Sequence, residues 1–148
     1  MKLALLKGNR FNPWHLQVYG RMPGIELTAF RADSEIQQHF EGRDDHSVAC
    51  AYERIKFETE SWNFATRYAS RFREKYRGQA PRILPFHKRL EGFDLIQTWE
   101  LSTDWTWEAL EAKRAFGLPV SIMVWDTIPF HYERDLRRAE IIQRAVAE

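Results

Sequence analysis

Residues 93–125 read FDLIQTWELSTDWTWEALEAKRAFGLPVSIMVW, and the rest of the chain is placed by reference to them. Phe93 to Gln97, introduced by Gly92, is a short apolar run of strand length. Ser102 or Thr103 then supplies a hydroxyl cap for a helix whose buried face is Trp105, Ala109, Ala112 and Phe116. Gly117 and Pro119 stop that helix, because glycine accepts the left-handed turn after a last helical residue and proline cannot continue the hydrogen-bond ladder. Val120 to Trp125 is apolar apart from Ser121 and suits a strand covered on both faces; Asp126 ends it. Strand, helix and strand in this order make a parallel crossover unit.

The same grammar extends toward the N-terminus. Leu3 to Leu6 is a strand ending at Gly8, and Asn12 with Pro13 opens a helix carrying Trp14, Val18 and Met22 at four-residue steps until Pro23-Gly24. Ile25, Leu27 and Ala29 alternate with polar neighbours before Phe30, giving a second strand. Arg31 to Asp45 is polar, with one short helical turn around Ser34 to Phe40. Val48 to Phe57 holds a third strand. Ser61 caps a helix whose stripe, Ala65, Tyr68, Phe72 and Tyr76, is expected to be buried before Gly78 and Pro81 end it. Leu136, Ala139, Ile142 and Val146 mark a final helix. Strands separated by helices predict one α/β domain over residues 1–148: a Rossmann-like open, mainly parallel sheet with helices on both faces.

Composition limits what such a domain does. The 148 residues are 44% apolar and 29% charged, enough for one core, and 22 basic against 21 acidic side chains give a net charge of +1. That balance offers no general attraction to nucleic acid or an anionic bilayer. Cys50 is the only cysteine, so no intrachain disulfide forms, and a reducing, cytoplasmic setting fits. Met1 to Leu6 is too short an apolar run for a signal peptide, and no stretch approaches the roughly 20 apolar residues that span a bilayer. Ile141 to Glu148 still reads as helix with no polar tail, so the chain is expected to continue into a longer protein.

Ligands of open α/β sheets approach the carboxyl ends of the strands, which singles out three loops. Gly8, Asn9 and Arg10 follow the first strand: glycine permits close backbone approach, asparagine both donates and accepts, and the guanidinium fork suits a carboxylate or phosphate. No complete dinucleotide or phosphate-loop glycine motif accompanies them. Thr98, Trp99 and Glu100 follow the strand of the opening stretch; the indole can cover a sugar or lipid face, and the carboxylate can accept hydrogen bonds or a proton. A structural reading has Trp99 anchoring the loop in the core instead. Trp125, Asp126 and Thr127 follow the next strand, where Asp126 either orients a hydroxyl and acts as a base or caps the turn.

Other clusters are less specific. His39, Asp44, Asp45 and His46 match no strong zinc or calcium spacing, and His15, His87 and His131 form no sequence-legible triad. Between Arg67 and Arg89, eight Lys and Arg residues meet one acid, Glu74, a local net of +7 that leaves the remainder acidic. Arg67, Arg71 and Lys75 step by four beside the aromatic stripe, so one helix is expected to bury aromatics and present a basic face. That face suits peripheral contact with an anionic membrane, at the inner leaflet for a cytoplasmic protein; nucleic acid is disfavoured because no recognised binding module accompanies the charge.

Taken together, Phe93-Asp94-Leu95-Ile96-Gln97, the Ser102-to-Phe116 helix and Leu118-Pro119-Val120 leading to Trp125-Asp126 resemble the N-terminal domain of family 4 glycosyltransferases with the GT-B fold. The opening strand, the Gly8 loop and the Asn12-Pro13-Trp14 helix start look similar too, while Arg31 to Arg89 is less distinctive. The resemblance implies two Rossmann-like domains facing a cleft, this chain being the acceptor-holding half and an absent C-terminal domain holding the nucleotide sugar. It implies retaining glycosyl transfer to a hydroxyl acceptor, saccharide or lipid-linked, with no cofactor held by this domain; a required bound metal is not implied. By similarity, Gly8, Asn9, Arg10, Thr98, Trp99, Glu100, Trp125, Asp126 and Thr127 are the acceptor-side residues, with Asp126 and Glu100 as the carboxylates that polarise the hydroxyl. Arg10, Trp99 and Asp126 would border one cleft. The family's paired glutamates, seven residues apart in the donor-binding region, have no counterpart here, so the isolated chain is expected to be inactive. The alternative is a small α/β module binding phosphate or a protein; the sequence lacks the early acidic pair of response regulators. A complete hydrolase would require a nucleophile elbow, and none is recognisable.

Overall fold

The computed structural model describes residues 1–6, 16, 18, 19, 21–32, 51–77, 82–124 and 135–148. Five strands form its sheet: β1 (Lys2–Leu6), β2 (Glu26–Ala32), β3 (Ala51–Ile55), β4 (Leu95–Trp99) and β5 (Val120–Met123). All neighbours run parallel, in the order β3-β2-β1-β4-β5. The helices whose bounds are described are α1 (Phe64–Arg77), α2 (Asp104–Phe116) and α3 (Leu136–Ala147), with short 3-10 turns at Glu58–Glu60 and His87–Leu90; Leu16, Val18 and Tyr19, ahead of α1, are helical as well. The expected Rossmann-like α/β architecture is therefore present. The chain builds outward from β1 to β3 and then returns to β1's other side, so the strand order reverses between β1 and β4.

Alternation along the strands splits the core into two layers. Ala4, Leu6, Phe30, Ala32, Ile55 and Ile96 face α2, where they meet Trp105, Ala109 and Ala112. Leu3, Leu5, Leu27, Ala29 and Trp99 face the other way and pack on Leu16 and Tyr19, which are helical. Both sheet faces are thus covered by helical residues. The α2 boundaries follow their chemistry: the Thr103 side chain accepts from Thr106 N–H, and Gly117 takes φ 71°, the left-handed turn that closes the helix.

Four side-chain expectations are corrected. In the first helix the residues turned inward are Leu16 and Tyr19, whereas Val18 and Met22 are exposed; Trp14 lies outside the described residues. β5 sits at the edge of the sheet, so Val120 and Ile122 are half-buried while Ser121 and Met123 are exposed, and the strand is not covered on both faces. In α3 the buried residue is Ile141, with Leu136 and Val146 exposed, because the helix reaches α2 through arginines rather than through its apolar stripe.

The fourth correction concerns α1. Its cap is Asn63, whose Oδ1 accepts from Ala65 and Thr66 N–H, while the Ser61 hydroxyl accepts from Asn63 N–H one step earlier. Phe64, Tyr68, Phe72 and Tyr76 are all exposed, and Ser70 is the residue turned inward. The space a crossover helix would fill is already taken by the chain following α1. Ile83, Phe86 and Leu90 enter the core, and Phe86 stacks on Phe30 at 5.6 Å and meets Trp105 at 5.4 Å. Phe57 and Ile83 form an antiparallel bridge, with Glu58 N–H donating to Arg82 C=O and Leu84 N–H to Lys56 C=O, each at 2.8 Å. The chain thus leaves and returns at one pinned point, and α1 is carried on the excursion between.

Candidate functional site

The strand register sets three chain ends beside one another. Leu6 at the end of β1 is paired with Thr98, and Trp99 at the end of β4 with Met123. The loops proposed after β1, β4 and β5 therefore start from adjacent positions on the sheet's carboxyl edge, on either side of the strand-order reversal. Such a reversal opens a crevice because successive crossovers depart to opposite faces. Gly8, Asn9, Arg10, Trp125, Asp126 and Thr127 lie outside the described residues, as do His39, Asp44, Asp45 and His46. Among the described residues, no three His, Cys, Asp or Glu side chains gather as a metal site.

The β4 end is built from a hydroxyl network. Thr106 on α2 donates to Glu100 C=O at 2.5 Å, its proton thereby committed. Thr98 Oγ1, 3.3 Å from Thr106 Oγ1, must then be the donor of that pair. Thr103 Oγ1 donates to Trp99 C=O at 3.3 Å while accepting from Thr106 N–H. Thr98 is fully buried against α2, and Trp99 is buried in the opposite layer among Leu3, Leu5 and Leu27. Of the three residues proposed in this loop, Glu100 is the one with solvent access.

Glu100 also holds an unusual backbone. Its φ is 64°, the left-handed region, and it is the one non-glycine residue there among the described residues. A residue with Cβ pays about 1–2 kcal/mol to sit in that region. Glu100 is held there from both sides, its N–H donating to Met123 C=O at 2.9 Å and its C=O accepting from Thr106. Neighbouring structure that over-determines such a conformation is what allows it to persist, and it does so most often where a side chain must be aimed.

Two further acidic residues, Asp104 and Glu108, flank this region. Asp104 opens α2, and burial pushes its carboxyl above the ordinary 3.8 despite the opposing pull of Arg137 and Arg82. Arg137 Nε lies 3.8 Å from Asp104 Oδ1. Arg82 and Arg137 stand far from Asp104 along the chain, so the sequence alone does not bring the three together. Glu108 is buried on α2, and its Oε2 accepts from Phe86 N–H at 2.7 Å and His87 N–H at 2.8 Å, with His87 Nδ1 3.2 Å away. It caps the 3-10 turn that brings Phe86 and Leu90 into the core. Its signal in the sequence was an acid directly beside the Trp105-Ala109-Ala112 face of the helix.

Comparison with known proteins gives no further guide: no family model, curated protein or solved structure matches the chain. No described helix is long and apolar enough to cross a membrane.

Proposed function

We propose that this chain is the acceptor-binding half of a retaining glycosyltransferase, with a companion C-terminal domain supplying the nucleotide-sugar site. The observation that carries the reading is Glu100: a carboxylate at the end of β4, beside the strand-order reversal, with its backbone held left-handed. A hydroxyl of a saccharide or lipid-linked acceptor donates to that carboxylate, and the loops holding Gly8, Asn9, Arg10 and Trp125, Asp126, Thr127 complete its surroundings. Thr98 and Trp99 act as the buried footing that fixes where Glu100 stands.

In the reaction, the acceptor oxygen forms a bond to the anomeric carbon as the bond from that carbon to the nucleotide diphosphate breaks. The hydroxyl proton leaves toward a base, and Glu100 and Asp126 are the two candidates. The companion domain would stabilise the departing diphosphate, while this domain contributes orientation. The test is a donor-by-acceptor screen on the protein encoded by the complete reading frame, with UDP-glucose and GDP-mannose as donors and nucleotide diphosphate release as readout. Release should require a hydroxyl acceptor and should fall about a hundredfold in Glu100→Gln, the usual size of a positioned acid-base group. Acceptor-dependent release unaffected by Glu100→Gln would remove Glu100 from the site, and no release with any pair would count against the transferase itself.

A further inference from the structure

The aromatic face of α1 has no place in the core, and its arrangement states what it can meet. Trp62 is 92% exposed, Phe64 69%, Tyr68 64%, Phe72 46% and Tyr76 65%. From Phe64 to Tyr76 the four helical aromatics run at four-residue steps, a stripe about 18 Å long at 1.5 Å per residue. Five large rings exposed together exceed the scattered apolar residues normal on a surface and mark an interaction site. The helix docks on the body by its other side: Ser70 is buried, and Arg73 pairs with Glu58 in the 3-10 turn at the pinned base. An amphipathic helix has thus turned its polar side inward and its aromatic side out.

Charge selects the partner. The helix carries Arg67, Arg71, Arg73, Lys75 and Arg77 against Glu74, and each of Phe64, Tyr68 and Phe72 is followed three residues on by a cation, Arg67, Arg71 and Lys75. Residues three apart share a helix face, so these three cations border the stripe along its length. Arg67 lies over the Phe64 ring at 5.8 Å, Lys75 over Tyr76 at 5.3 Å and Lys56 over Trp62 at 5.8 Å. A second copy of the helix would face this one with like charge, which disfavours a symmetric pairing. Single-stranded nucleic acid needs open ring faces, whereas Phe72 and Tyr76 pair with each other at 4.7 Å and Phe64 and Tyr68 at 6.2 Å.

We propose that α1 is a membrane-docking arm: the Trp62-Phe64-Tyr68-Phe72-Tyr76 row enters the interfacial zone of a bilayer while Arg67, Arg71 and Lys75 meet the phosphates of anionic phospholipids. Tyr and Trp suit that zone because each has an apolar body and a polar tip, and Lys and Arg extend their heads to the water while their stems cover apolar surface. The helix lies in the surface plane rather than spanning it. The arm is independent of what the sheet edge binds, so it stands or falls separately from the transferase reading.

The test is co-sedimentation of the whole chain with vesicles of phosphatidylcholine alone and of equal parts phosphatidylcholine and phosphatidylglycerol. The wild type should pellet with the anionic vesicles, less so as salt rises, and remain in solution with the neutral ones. Arg71→Glu with Lys75→Glu should weaken the partitioning more than about tenfold, since each cation near the surface contributes about a factor of five. Phe72→Ser with Tyr76→Ser should abolish it while leaving the unfolding transition unchanged. Brominated lipid should quench fluorescence in the wild type and less in Trp62→Phe, a readout that needs no destabilising substitution. Absence of anionic-vesicle binding, binding insensitive to the charge reversals, or unfolding of the Phe72/Tyr76 variant would overturn the proposal. So would selective binding to an acidic protein or a nucleic acid without binding to vesicles.

Discussion

At the scale of single residues, two carboxylates near the sheet edge make opposite demands on the fold. Glu100 is a left-handed residue, so Glu100→Gly should keep the fold and change the unfolding free energy by no more than about 1 kcal/mol, because relief of the left-handed cost is offset by glycine's greater unfolded freedom. Urea unfolding measures this; a loss above that size would mean the Glu100 side chain holds the loop together. Asp104 is governed by burial, which raises its carboxyl above 3.8. The folded chain therefore holds this proton more tightly than the unfolded chain, and stability falls as pH rises from the ordinary value through the raised one. Asp104→Asn should remove that loss and flatten the stability profile over the pH range just above 3.8. A profile identical to that of the wild type would contradict a burial-dominated Asp104.

At the scale of elements, the helices differ in what fastens them. α2 is fastened by Trp105, Ala109 and Ala112 in the core. α3 is fastened by the buried Ile141 and by its arginines: the guanidinium carbons of Arg137 and Arg144 stand 3.8 Å and 4.4 Å from the Trp107 ring centre, and Arg144 also pairs with Glu111. Trp107→Ala should therefore cost about 1–2 kcal/mol by loss of two cation–π contacts and should speed hydrogen exchange in α3 while sparing β4. Equal loss of protection across both elements would show that Trp107 belongs to the main core. Glu148 strengthens the same fastening, its carboxyl held below the ordinary 4.5 first by the hydrogen bond from Arg144 and further by Arg114. That contribution is present above the ordinary carboxylate value and fades as pH falls through the lowered one.

For the molecule as a whole, the order of strands and helices was legible because local signals agreed with one another: Thr103 capped α2, Gly117 ended it, and alternation in Leu27 and Ala29 marked β2. Burial was less legible than secondary structure. The Tyr68-Phe72-Tyr76 stripe has the spacing of a core face, and only the path of the chain after α1 reveals that Ile83, Phe86 and Leu90 already occupy that volume. Those three positions are themselves three and four residues apart, a signal available in the sequence but hidden among prolines and cations. β5 reads as covered on both faces because an apolar run does not disclose that its strand is at an edge. At the candidate site, sequence pointed to the loop after β4 through Glu100, but it had no means of giving that residue's φ or the commitment of the Thr106 proton. The buried Glu108 cap depends on contacts about twenty residues away along the chain, and only folding brings them together.

The central claim is that the carboxyl edge at β1, β4 and β5 holds a hydroxyl-bearing acceptor. Amide chemical-shift mapping of this chain against a panel of free saccharides and soluble short-chain lipid-linked sugars tests it most directly. The account predicts perturbations centred on the amides of Leu6, Thr98, Glu100 and Met123, diminished in Glu100→Gln. Perturbations centred instead on Lys2, Glu26 and Leu95 at the opposite edge, or none with any member of the panel, would contradict it.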